Sequence, residues 1–99
     1  MLLLKNANVI TMNGENEVLR DTDILIDEGK ISKIGKDIAS QGAKPIDASG
    51  KYIIPGLFDC HTHVVVDTFL PYYLMGGVTS VRNMWGSPLH LQQIGRAHV

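Results

Sequence analysis

A single cysteine, Cys60, stands in the 99 residues, so no internal disulfide framework can form, and one thiol fits a reducing compartment. Long apolar runs are missing as well. Met1-Leu2-Leu3-Leu4 reaches Lys5 after three leucines with no positive region before it, too short for a secretory core, and no stretch approaches a membrane span. Neither sign of charge is in excess. Nine Lys and Arg face ten Asp and Glu, interspersed and summing to −1, which leaves no electrostatic footprint for nucleic acid or an anionic membrane. Internal repeats and low-complexity tracts are also lacking. Finally, 99 residues make one small domain at most and exclude a complete large enzyme. The expectation is a soluble, cytoplasmic chain that meets a small molecule rather than nucleic acid or membrane.

What is present is globular in kind. The sequence is 44% apolar and 19% charged, whereas a disordered chain would be poorer in apolar residues and richer in unbalanced charge. The first half has the texture of strands and tight turns. Leu2 to Leu4 and Val9 to Thr11 are expected as strands broken by Asn6 and Asn8, with a turn at Asn13-Gly14. Asp23-Ile24-Leu25-Ile26 and Lys30-Ile31-Ser32-Lys33-Ile34 flank Asp27-Glu28-Gly29, where the glycine can take φ > 0, which predicts a hairpin. Ile31 and Ile34 break strict alternation, so a bulge, or a strand ending at Gly35, is expected. Asp37 to Lys44 is a polar loop, and Ala48-Ser49-Gly50 turns between short strands at Ile46-Asp47 and Tyr52 to Ile54.

From Leu57 the pattern changes. An apolar strand begins at Leu57-Phe58 and ends in His61-Thr62-His63, and Asp67 to Gly76 carries Phe69, Leu70, Tyr73 and Leu74 at helical spacing. Asp67 or Thr68 is expected to cap that helix, with Pro71 in its first turn and Gly76-Gly77 ending it before a strand from Val78 to Met84. Strand, helix, strand is the unit of a parallel sheet with a crossover helix, so the fold class is α/β, with a boundary near Pro55-Gly56.

His61 and His63 are the candidate metal ligands. Side chains at i and i+2 of a strand share a face, and two imidazoles there can meet one cation. Asp59 has the same parity and could accept a hydrogen bond from an imidazole N–H, fixing its tautomer. Cys60 and Thr62 face the other way, where a thiol and a hydroxyl would pack between strand and helix, and Cys60 has no metal role.

The run Pro55-Gly56-Leu57-Phe58-Asp59-Cys60-His61-Thr62-His63 resembles the opening metal motif of the amidohydrolase superfamily, in which a Pro-Gly turn leads into the first barrel strand. Glu28-Gly29-Lys30-Ile31 and Ala48-Ser49-Gly50-Lys51 resemble that family's N-terminal β-sandwich segment, and Gly77 to Met84 resembles the entry to its second barrel strand. The resemblance covers roughly positions 1 to 93. It implies a β-sandwich segment over 1–54, incomplete in itself, and over 55–93 the first strand–helix–strand unit of a TIM-like (β/α)8 barrel, which at about 250 residues would be truncated here. It also implies that His61 and His63 hold a divalent ion, commonly zinc, with one or two ions in the full-length protein. The family's further ligands, a lysine, two more histidines and an aspartate, come from later strands that this chain does not contain. The activity implied is hydrolysis of carbon–nitrogen bonds other than peptide bonds through metal-activated water, with the fragment itself inactive and without a catalytic residue of its own.

Three other features take bland readings beside functional ones. Ile94-Gly95-Arg96-Ala97-His98-Val99 continues no pattern and looks like a translated sequencing-library adapter, so 94–99 is taken as a non-native tail; an ordinary helix end is the alternative. His90 begins a helix off the strand face and is left out of the site. Trp85 either packs over a barrel rim or, with the rest of Asn83 to Ser87, lines the mouth of an active site. Tyr72, Tyr73, Phe69 and Leu70 read as a packed helix face rather than a ligand box. Two rival functions remain beside the hydrolase: a non-catalytic β module with a strand–helix–strand tail, and a metal-dependent deaminase of a cyclic amidine.

Overall fold

The computed structural model describes residues 1–86 and Pro88. The readings placed on His90 and on 94–99, and the Ser87 end of the rim segment, lie outside the described residues. These residues are mostly strand with one short helix, in two compact units, Met1–Pro55 and a second from Gly56 onward. No helix among them is long and apolar enough to cross a membrane.

In the first unit, β1 (Leu2–Ile10) pairs antiparallel with β2 (Val18–Asp27), which pairs antiparallel with β3 (Lys30–Gly35). On the other side of β1 run β4 (Lys44–Asp47) and β5 (Tyr52–Ile53), both parallel to it. Glu28 at φ 47° and Gly29 at φ 74° form a two-residue turn with both φ angles positive, the geometry whose twist matches a hairpin. The register skips Ser32 between Lys33 and Ile31, so the broken alternation of the isoleucines is a bulge, and the strand also ends at Gly35.

The two strands expected before Thr11 are one. Asn6 sits at φ 61° where the register shifts between Leu4 and Ala7, a bulge that asparagine tolerates. The ladder bond lost there is replaced: the Asn6 N–H donates to Asp23 Oδ1 at 3.0 Å. Asp23 is 2% exposed, and its other oxygen accepts the Ile38 N–H at 3.0 Å. The buried carboxylate therefore joins β1, β2 and the segment after β3. Apolar side chains cover both faces of the sheet. Leu3, Leu25 and Ala43 gather with Ile38, while Ala7, Val9, Ile24 and Ala48 gather with Leu4, Leu19, Ile26 and Ile53.

In the second unit β6 (Leu57–Thr62) runs parallel to β7 (Val78–Asn83), joined through a 3₁₀ turn (Asp67–Phe69) and α1 (Leu70–Met75). The helix is shorter than its spacing predicted, and its capping differs. The two N-cap residues are Val66 and Phe69, neither with a side-chain cap bond, because Pro71 in the first turn lacks an N–H to cap and the preceding turn closes through the Phe69 N–H and Val66 carbonyl at 3.1 Å. Gly77, at φ 83°, takes the left-handed position after the helix. α1 packs on β7, yet none of its residues is buried. The aromatic face expected as core instead lines a shallow apolar depression of about 370 Å³ between Phe69, Tyr72, Tyr73, Gly76 and Val78.

Candidate metal centre

The histidine pair stands at the C-terminal end of β6, His61 inside the strand and His63 one residue past it. Parity separates two sets of side chains. Thr62 and Val64 are 4% and 2% exposed, while His61 and His63 between and beside them are exposed. The alternation read from sequence therefore holds through the strand end, where it matters for the imidazoles.

Their Nε2 atoms lie 3.3 Å apart. The ring planes are within 4° of parallel with centroids 5.4 Å apart, so the rings meet at their Nε2 edges rather than face to face. Two imidazole nitrogens bound at about 2.0–2.1 Å to one tetrahedral ion stand about 3.3 Å apart, which is the spacing in this pair. The same distance also allows one Nε2–H to donate to the other nitrogen, according to tautomer. Among the described residues no group of three or more His, Cys, Asp or Glu is gathered for a cation.

Asp59 is placed beside the pair in a different contact from the one anticipated. Its Oδ1 accepts the main-chain N–H of His61 at 3.1 Å rather than an imidazole N–H, because so short a side chain reaches the amide two residues on more readily than a ring. It braces the strand at His61. Cys60 is exposed and not packed beneath a helix, since α1 makes its contacts with β7.

The bonds around His63 come from β7. Thr62 Oγ1 donates to the Arg82 carbonyl at 3.1 Å, and the Met84 N–H donates to the Thr62 carbonyl at 2.8 Å. Arg82 itself donates through Nε to Met84 Sδ at 3.2 Å. Asn83 Oδ1 accepts two main-chain N–H groups, those of Val64 and Trp85, each at 3.3 Å. The sequence placed Asn83 in the strand Val78 to Met84 and in a rim segment near substrate, without a bonding role; an amide side chain near the end of a strand parallel to the histidine strand was the available signal.

No family model matches the chain. It is 35% identical over 71 residues to a 5'-deoxyadenosine deaminase of Methanosarcina acetivorans, covering 72% of this chain and 16% of the relative. Against a dihydroorotase of Trichlorobacter lovleyi it is 45% identical over 65 residues, covering 64% of this chain and 15% of that one. The structure of atrazine chlorohydrolase from Arthrobacter aurescens TC1 complexed with zinc superposes with a TM-score of 0.59 and 31% identity, covering 77% of this chain and 19% of that one. The chain thus spans about one sixth of the length of the curated relatives it matches. Two histidines meeting at the end of a strand that Pro55-Gly56 leads into, and likeness to a deaminase, a dihydroorotase and a zinc-complexed chlorohydrolase alike, have one explanation: the chain belongs to the amidohydrolase superfamily.

Proposed function

We propose that this chain is a segment of a metal-dependent hydrolase of carbon–nitrogen bonds other than peptide bonds, with His61 and His63 as ligands of a divalent ion. On this reading 1–54 is the incomplete β-sandwich segment, 55–93 opens a (β/α)8 barrel and 94–99 is a non-native tail. The observation that carries the proposal is the 3.3 Å approach of the two Nε2 atoms at a strand's C-terminal end, the end where barrel enzymes place their sites. Zinc is the first candidate, supported by the zinc complex of a structural neighbour. Substrate is a small molecule, and the single thiol supports a cytoplasmic location.

A divalent ion held there supplies Lewis-acid activation of water and of the atom under attack. The chain's own part is to present both Nε2 lone pairs from one strand face, with Asp59 holding the His61 main chain. Two imidazoles fall short of the three protein ligands usual at catalytic zinc, so the 99 residues alone do not turn over substrate. Deaminases among the relatives favour a second chemistry, loss of an amino group from a cyclic amidine. The test measures zinc content and hydrolysis of amide, lactam, cyclic imide and aminated purine substrates by the complete protein. Wild type is expected to carry zinc and cleave one class, and His61→Ala and His63→Ala to lose both. Full zinc binding by the double variant, or turnover by the 99-residue chain above its own double-alanine control, sinks the proposal.

A further inference from the structure

We infer that Asn83 is a positioning residue for His63: its side-chain oxygen ties the main chain just past His63 to the end of β7 and so fixes how the imidazole is presented. The inference rests on the reading of His63 as a metal ligand.

β6 ends at Thr62, so His63 lies beyond the ladder that orients His61. An imidazole on an untethered residue would sample several directions, and a ligand must be held close to its bonding direction to contribute affinity. The main chain on both sides of His63 is nevertheless held. Before it, Thr62 accepts the Met84 N–H at 2.8 Å and donates its hydroxyl to the Arg82 carbonyl at 3.1 Å. After it, the first main-chain donor is the Val64 N–H, and its acceptor is the Asn83 side chain at 3.3 Å.

Asn83 is well placed for this. Its own backbone is in register with Thr62, which anchors the side chain opposite the strand end, and the same Oδ1 accepts the Trp85 N–H at 3.3 Å. One oxygen therefore closes the chain after β6 and the chain after β7 together. Val64, 2% exposed, is seated below, so the main chain at 63 is held between a buried neighbour on each side. An acceptor oxygen at this distance from the backbone is the chemical requirement. Aspartate keeps it, alanine lacks it, and glutamine carries it one methylene too far.

The experiment uses the complete protein and reads zinc affinity by chelator competition, the visible spectrum of the cobalt(II)-substituted form, and hydrogen exchange at the Val64 and Trp85 amides. Asn83→Ala and Asn83→Gln are expected to speed exchange at both amides, to shift the cobalt bands and to lower zinc affinity about 10- to 100-fold, the range typical of groups that orient a ligand. Asn83→Asp is expected to restore all three readouts to the wild-type range. If Asn83→Ala does not fold, the contrast between glutamine and aspartate carries the test. Faster exchange in the glutamine or alanine variant with unchanged zinc affinity and spectrum overturns the inference while leaving the ligand reading intact. His63→Ala with wild-type zinc affinity overturns the ligand reading, and this inference with it.

Discussion

Asp47 and Ser49 show what a single short side chain decides. Asp47 Oδ1 accepts the Ser49 hydroxyl at 2.5 Å and the Ser49 N–H at 3.0 Å, closing the turn that carries the chain from β4 to β5. These bonds, the hydroxyl first and the amide second, hold the Asp47 carboxyl below the ordinary 3.8 even though it is fully exposed. A carboxylate whose folded pKa is depressed contributes stability that is complete above 3.8 and is lost as pH falls through the lower folded value. Ser49→Ala should therefore raise the Asp47 midpoint toward 3.8 in a carboxyl-carbon NMR titration, and an unmoved midpoint would show that the hydroxyl is not the cause. The turn was legible in Ala48-Ser49-Gly50. The clamp made by Asp23 was not, because its partners, Asn6 and Ile38, lie 17 and 15 residues away and no local pattern links them.

At the scale of elements, β6 and β7 approach closely enough for glycine to matter at one place. A Cβ on Gly56 would meet the Thr79 side chain, with Thr79 Cβ at 2.8 Å and Oγ1 and Cγ2 closer still. Rotating Thr79 cannot relieve an overlap that includes its own Cβ, so the strands must separate. Gly56→Ala should cost about 1–3 kcal/mol as overpacking, and adding Thr79→Ala should recover part of it, with a coupling of at least about 0.5 kcal/mol. Additive unfolding midpoints in the double-mutant cycle would dismiss the clash. The glycine at the head of the histidine strand thus has a packing reason. The hairpin and the β6–α1–β7 order could be read from period and glycine placement. The shortened helix, whose N-cap residue makes no side-chain cap bond, could not, because whether a side chain caps depends on where the turn before it closes.

For the whole molecule the distribution of burial decides the behaviour. Of the buried apolar residues described, Leu3, Ala7, Val9, Ile24, Leu25, Ala43 and Ala48 belong to the first unit and Val64 to the second. In the second unit Phe58 is 75% exposed and Met75 82%. Apolar area removed from water is the main source of stability, so the second unit opens at low free energy and the first resists longer. Hydrogen exchange on the 99-residue chain should show protection in β1 to β3 and near-free exchange in β6 and β7. Equal protection in both, or a single cooperative transition at high temperature, would refute this ranking. Where a chain changes from period two to strand, helix, strand, and that His61 and His63 share a face, were settled by the sequence alone, because both follow from backbone periodicity within a few residues. That the two Nε2 atoms meet at 3.3 Å and that Asp59 turns to the His61 main chain are contacts two residues apart, set by side-chain rotamers that strand parity leaves open. That Asn83 closes the strand end 19 residues from Val64 was decided only by tertiary structure, because no local pattern links β7 to the chain after β6.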